Sequence, residues 1–189
     1  MDLQYSEYIK ENDGKLNMKF AFQCAPVLFG VKPSNLLILE EQEVEKIRPI
    51  MLWAGTHFYR FLKQGKREIW FVYRPETMRY LLGSKDVKAF LKEYGYKESA
   101  LIPVLKKAGA RYKEYLARKE DFPHELGVLL GYPVADVRGF IDHEGQDYLY
   151  SGYWKVYENP ESARRTFAIY EEAKKRMLLL LKEENAAWV

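Results

Sequence analysis

The stretch THFYRFLKQGKREIWFVYRP, residues 56–75, decides the fold that the sequence predicts. It contains two runs rich in aromatic and β-branched residues, separated by a polar segment around Gly65. Such runs are typical of β-strands, and a short polar segment with glycine is typical of the turn between paired strands. We therefore predict a β-hairpin with strands at 56–63 and 67–74, and Pro75 ends the second strand.

The segments on either side of the hairpin predict several helices and two further strands. Before the hairpin we predict a loose leader at 1–15, an apolar stretch broken by Pro26 and Pro33, a strand at 36–41 and a helix at 40–55 with a kink or late start at Pro49. After the hairpin we predict two short helices within 76–96 separated at Gly83, a longer helix within 98–120, one strand within 145–159 and a helix near 160–183. Asn159 and Pro160 are favourable residues for the start of this last helix.

This order of elements predicts a single α+β domain over residues 1–189. Its core is a small, mainly antiparallel sheet of about four strands, including the hairpin, packed by several helices. A ferredoxin-like core with an enlarged helical crossover has this order of strands and helices. An irregular α+β domain around the hairpin is the alternative.

A second stretch, FPHELGVLLGYPVADVRGFI, covers residues 122–141 and predicts two short helices joined by a turn. Gly131 suits the left-handed position after a helix, and Gly139 inside the second helix indicates close approach by another backbone. The helix–turn–helix interpretation leaves His124 and Glu125 unexplained. A zinc-protease motif would need a second histidine at position 128, which is valine.

Composition excludes several classes of protein. Cys24 is the only cysteine, so the chain can form no internal disulfide and no four-cysteine metal site, which fits a cytoplasmic location. The polar N-terminus does not resemble a signal peptide, and the longest aliphatic run, at 177–181, is too short to cross a membrane. We expect no nucleic-acid partner, because the net charge is only +3 and the basic residues at 106–119 suit a solvated helix face.

Five motifs together resemble the family known as domain of unknown function 3793. They are CAPVLFGVKPSNLL, WFVYRP, FLKEYGY, FPHELGVLLGYPVADVRGFI and GYWKVYENPESARRTFAIY, in this order over residues 20–170. The resemblance implies a small cytoplasmic protein of anaerobic bacteria, and the family name assigns no activity. Some relatives have a cysteine just before the Gly-x-Trp-Lys motif, where this chain reads YLYSGYWK, and this weakens a two-cysteine metal or redox site.

The resemblance also marks a set of polar positions. The family's polar motif residues fall on Cys24, Lys32, Asn35, Arg74, His124, Glu125, Tyr132, Asp136, Lys155 and Tyr157. If Lys32, Arg74 and Lys155 converge, they form an anion site. The alternative is three separate solvated charges.

Three functions are compatible with these residues. The first is binding of a small anionic or aromatic cofactor-like ligand, with or without catalysis. The residues proposed for it are His124, Glu125, Tyr132, Lys155, Tyr157, Arg74, Lys32 and Asn35. The second is a non-catalytic interaction module, in its simplest form a homodimer, whose contact surface is the aromatic strand face around Trp70, Tyr150 and Trp154. The third is a transition-metal site through Cys24 and His124.

Overall fold

The computed structural model describes residues 14–53 and 55–186. Within them the chain forms eight helices and five strands, joined by loops. In chain order the elements are α1 (Gly14–Leu28), β1 (Ser34–Glu40), α2 (Glu41–Trp53), β2 (His57–Gln64), β3 (Arg67–Tyr73), α3 (Pro75–Gly83), α4 (Lys85–Glu93), α5 (Leu101–Leu116), α6 (Glu125–Leu129), α7 (Val134–Asp142), β4 (Tyr150–Ser151), β5 (Lys155–Val156) and α8 (Pro160–Ala186). The predicted α+β class is confirmed.

The main sheet has three strands in the order β1-β3-β2, and both pairings are antiparallel. The predicted hairpin forms β2 and β3, and Gly65 at its turn has φ of +59°. Because β1 and β2 each pair antiparallel with β3, they run parallel to each other and α2 connects them. This split β-α-β arrangement corresponds to the first three strands of a ferredoxin-like core.

The predicted fourth strand does not join this sheet. The segment 145–159 forms a separate two-stranded hairpin, in which Tyr150 pairs with Val156 and Ser151 pairs with Lys155. The chain turns at Gly152, whose backbone lies so close to α8 that an added Cβ would be 2.3 Å from the ring of Phe167. Alternation of apolar residues therefore predicted one long strand, whereas the chain turns at Gly152 against α8.

The N-terminal segment also differs from the prediction. Part of the predicted leader at 1–15 lies outside the described residues, but α1 begins at Gly14 and continues through Pro26 in its last turns. Helix α1 packs along α8, so its buried face is stabilised by tertiary contacts that local helix propensity does not include. The predicted late start of α2 is also wrong, because this helix begins at Glu41, well before Pro49.

The remaining helices follow the sequence pattern. Gly83 ends α3, the 122–141 stretch folds into α6 and α7, and the backbone N–H of Ser162 donates to Asn159 Oδ1 at 3.1 Å at the start of α8. Within the described residues, we find no helix with the length and apolar character needed to span a membrane.

Buried side chains form three clusters in the described part of the chain. Val72 and Phe71 alternate along β3, so the sheet separates a first cluster on the α1 side from a second cluster on the α5 side. The third cluster lies between the β4–β5 hairpin and α8 and includes Trp154 and Phe167. The α6–α7 corner lies where the second and third clusters meet, and it contributes Val137 to the second.

Candidate functional site

The α6–α7 corner is held in place by close backbone contacts. Gly131 between the helices has φ of +88°, and an added Cβ there would be 2.7 Å from the ring of Pro33. Ser34 Oγ donates to the carbonyl of Leu129 at 2.7 Å. The predicted left-handed glycine is therefore confirmed, and the corner docks on the loop between α1 and β1.

A cavity of about 260 Å³ lies between this corner and the β4–β5 hairpin. We call it the aromatic cavity. Its lining residues are Phe122, His124, Gly127, Leu130, Tyr132, Asp136, Val137, Phe140, Trp154 and Lys155. Phe122 and Phe140 are partly exposed, at 41% and 37%, and form its rim. Three residues predicted as ligand-binding, His124, Tyr132 and Lys155, therefore line one mainly apolar space.

His124 lies at the residue before α6, with its ring among aromatic side chains. The ring centroid is 5.5 Å from that of Phe122 and 5.7 Å from that of Phe140. Burial lowers the pKa of His124, while the nearby charges of Glu125 and Asp121 act in the opposite direction. Among the described residues the imidazole has no hydrogen-bond partner, and His124 lines the cavity. A neutral imidazole can donate or accept a hydrogen bond.

Lys155 is the cation of the aromatic cavity. Its Nζ donates to the carbonyl of Gly145 at 2.6 Å and lies 4.9 Å from the ring centroid of Tyr148 and 5.8 Å from that of Phe140. In the part of the chain that the structure describes, no carboxylate is within ion-pair distance of this ammonium. A positive charge beside aromatic rings, with no described carboxylate within ion-pair distance, is well suited to an anionic group.

Asp136 and Trp154 form another part of the cavity wall. Asp136 Oδ2 accepts the indole N–H of Trp154 at 2.7 Å, and Oδ1 accepts the backbone N–H groups of Tyr157 and Glu158 at 2.8 and 2.9 Å. Both carboxylate oxygens therefore accept hydrogen bonds, and Oδ2 orients Trp154, whose ring stacks on Tyr132 with centroids 5.2 Å apart. The sequence reasoning marked Asp136 only as a motif position.

The aromatic walls are the part of the site that the sequence reasoning missed. Phe122 and Phe140 were not proposed as site residues, and Trp154 was proposed only as part of an interaction surface. The sequence did contain a signal for these walls. Phe122 and His124 lie at one end of the 122–141 stretch and Phe140 at the other, and two helices joined by a turn bring the ends of such a stretch together.

Glu125 does not line the cavity. It is fully buried, and its Oε1 accepts Arg111 Nε at 2.5 Å and the hydroxyl of Tyr96 at 3.1 Å. Its Oε2 is buried without a hydrogen-bond partner. Glu125 and His124 therefore have different surroundings, since adjacent helical residues diverge by about 100°.

The other predicted polar residues occupy separate places. Arg74 Nε donates to the carbonyl of Val27 at 2.8 Å, and its Nη2 donates to the carbonyl of Leu28, so it binds the C-terminal carbonyls of α1. Lys32 lies in the loop before β1, and its Nζ donates to Asn35 Oδ1 in β1 at 3.1 Å. The structure therefore does not gather Lys32, Arg74 and Lys155 into one site, because each has different partners.

Tyr157 packs behind α7 and does not line the aromatic cavity. An added Cβ at Gly139 would be 2.4 Å from Tyr157 Cβ, and the ring of Tyr157 stacks on His143 with centroids 5.5 Å apart. Gly139 is thus required by close approach, as predicted, but the partner is a side chain and not a backbone.

The two alternative sites have little structural basis. Cys24 is fully buried in the first cluster, and burial raises the pKa of its thiol to about 12, while the charge of Lys32 opposes this. Among the described residues, no group of three or more His, Cys, Asp or Glu side chains is placed to hold a metal ion. The aromatic surface is not continuous either, since Trp70 packs against the first cluster whereas Tyr150 and Trp154 belong to the third.

Comparison with known proteins identifies the family. The chain belongs to the family described as "Protein of unknown function (DUF3793)", whose model matches residues 20–187. This confirms the resemblance drawn from the motifs. No curated protein and no solved structure matches the chain. The family description names no activity, so the roles of the site residues depend on their geometry.

Proposed function

We propose that the protein binds a small aromatic anion in the aromatic cavity. The observation that carries this proposal is that Lys155 and His124 both line a space walled by aromatic rings. Among the described residues, the His124 imidazole has no hydrogen-bond partner. Ligand sites of proteins commonly combine an apolar lining with a few placed polar groups.

The walls and the polar groups favour different parts of one ligand. Tyr132, Trp154 and Phe140 suit a flat ring, because offset stacking and edge-to-face contacts between aromatic groups add to burial of their area. Lys155 suits a carboxylate or similar anionic group attached to that ring, and His124 suits a hydrogen bond to it.

The size of the cavity limits the ligand. Its volume of about 260 Å³ is at the lower end for ligand sites, which commonly span about 300–1,000 Å³. We therefore infer a ligand with a single ring or a small fused ring, and exclude a dinucleotide or an extended peptide from the cavity itself.

Titration calorimetry with four matched probes tests the charge and the ring separately. Benzoate carries both features, benzamide lacks the charge, cyclohexanecarboxylate lacks the aromatic ring, and benzyltrimethylammonium reverses the charge. We expect benzoate to bind most tightly and the cation to bind least. Equal affinity for all four, or preference for the cation, would contradict the proposal.

Two variants connect binding to the site. Lys155→Gln is expected to weaken benzoate binding about tenfold or more, because a charge-assisted hydrogen bond contributes about 1.5–3 kcal/mol, and to leave benzamide binding nearly unchanged. His124→Gln should weaken both probes. Lys175→Gln, on the exposed side of α8, is the matched control and should alter neither affinity.

Native mass spectrometry of the protein as purified can identify the natural ligand. We expect a bound mass in the wild-type protein that is lost in His124→Ala. A bound mass retained in both proteins would place the ligand outside the aromatic cavity.

A further inference from the structure

The aromatic surface continues beyond the rim of the aromatic cavity. Phe122 lines the cavity, and its ring also contacts the ring of Tyr115 on α5, with centroids 5.2 Å apart and ring planes at 89°. Tyr115 does not line the cavity, so it lies outside the rim. Phe122 and Tyr115 are 41% and 37% exposed. We call these two side chains the outer aromatic pair.

A series of ring contacts connects the outer aromatic pair with Lys155. The ring of Phe122 contacts that of His124, and the ring of His124 contacts that of Phe140, with centroids 5.5 and 5.7 Å apart. The Nζ of Lys155 follows, 5.8 Å from the centroid of Phe140. Tyr115 and Lys155 are therefore the two ends of this series, and the imidazole lies between them.

The size of the aromatic cavity requires that a larger ligand extend past its rim. A volume of about 260 Å³ suits one ring with its anionic group and leaves little space for a further group. When the anionic group lies at Lys155, a substituent on the far side of the ring points away from Lys155 and Phe140. Phe122 is the partly exposed ring of the rim at that end.

The charges beside the outer aromatic pair offset one another. They consist of two ion pairs, each at 3.5 Å, and two exposed residues of opposite sign: Glu114 with Lys119, Glu120 with Arg111, Arg118 and Asp121. These charges give no preference for a cationic or an anionic group. The rings themselves favour an aromatic or apolar group, because such contacts add to burial of area.

We propose that the outer aromatic pair is a second subsite for the ligand of the aromatic cavity, and that this ligand is an elongated aromatic acid. Its first ring lies in the cavity with the acid group at Lys155. An uncharged second ring or apolar chain, attached opposite the acid group, lies over Phe122 and Tyr115. This inference rests on the proposed function, since the cavity supplies the anchor, and it specifies the class of ligand more closely.

Titration calorimetry of the full chain with benzoate and two isomers of a longer acid tests the subsite. Biphenyl-4-carboxylate carries its second ring opposite the acid group and should bind about tenfold more tightly than benzoate, as expected for one additional aromatic contact. Biphenyl-2-carboxylate has the same composition but carries this ring beside the acid group, so it should show no gain over benzoate. Equal affinity for the two isomers would overturn the proposal.

Tyr115→Ala should remove the gain of biphenyl-4-carboxylate over benzoate and leave the affinity for benzoate unchanged. Tyr80→Ala, at the exposed tyrosine of α3, is the matched control and should keep the full gain. A gain that persists in Tyr115→Ala would refute the subsite. If benzoate itself does not bind the wild-type protein, the proposed function fails, whereas benzoate binding without a gain for the longer acid contradicts the subsite alone.

Two measurements on the wild-type protein complete the test. The fluorine of 4′-fluorobiphenyl-4-carboxylate reports on the second ring, and its NMR signal should shift and broaden on binding, because this ring lies against two aromatic side chains. An unchanged fluorine signal at a concentration that saturates the cavity would refute the subsite. Sedimentation velocity examines a second copy of the chain as the alternative occupant. A wild-type dimer that Tyr115→Ala abolishes would assign the outer aromatic pair to self-association and overturn the proposal.

Discussion

Replacement of Lys32 by Met should make the protein more stable at neutral pH. Methionine keeps the unbranched stem in its buried position and removes the charge that burial disfavours. The substitution also removes the donor to Asn35, which is the one hydrogen bond that the ammonium makes with a described residue. The two effects oppose each other, and only the first depends on pH.

The pKa of the Lys32 amine determines both the size and the pH range of the effect. A pKa lowered from 10.5 to about 8 corresponds to a cost of about 3 kcal/mol in the free energy of unfolding, fully present below pH 8. As the pH rises from 8 towards 10.5, the folded protein releases this proton before the unfolded chain does, so wild-type stability increases. About 1 kcal/mol of the cost remains at pH 9.5.

These values give the expected difference between variant and wild type. A lost neutral partner contributes about 1 kcal/mol against the variant at every pH. Lys32→Met should therefore be more stable than wild type by about 2 kcal/mol at pH 7 and about equal to it at pH 9.5.

Urea unfolding followed by circular dichroism at several pH values between 7 and 9.5 measures this difference. Comparison of the two proteins at each pH cancels the ionisation of the tyrosines, which is common to both. Lys175→Met is the control and should show no change with pH relative to wild type. A difference between Lys32→Met and wild type that does not vary with pH would refute the argument from burial of a charged amine.

Three further predictions concern the corner and its supports. Gly139→Ala should lower the free energy of unfolding by about 1–3 kcal/mol in urea, because the new methyl group overlaps the Tyr157 side chain packed on α7. Gly83→Ala is the control: nothing lies within 4 Å of the added atom, so the free energy of unfolding should change by less than about 1 kcal/mol. Arg111→Met should cost about 3–5 kcal/mol by leaving the carboxylate of Glu125 buried and unpaired, and the double variant with Glu125→Met should recover most of this loss in a double-mutant cycle. His124→Gln should leave the Tm within about 2 °C of wild type, since its ring has no hydrogen-bond partner among the described residues, and a larger drop would indicate a structural role.

The local patterns of the sequence were sufficient for most elements of secondary structure. The hairpin of β2 and β3, the break at Gly83, the left-handed turn at Gly131 and the cap at Asn159 all follow from the preferences of a few adjacent residues. Family motifs also pointed to His124, Tyr132 and Lys155, which the fold brings to one cavity.

Long-range packing decided the rest, because it acts between residues far apart in the chain. The predicted fourth strand turns back on itself at Gly152, where Phe167 of α8 leaves no space for a side chain. Arg74 and Lys155 have similar local sequence signals, yet one binds the end of α1 and the other faces the aromatic cavity. Residue type and spacing indicate which side chains can do chemistry, but the partner that neutralises or buries each charge is supplied by another element, and only the tertiary structure places it.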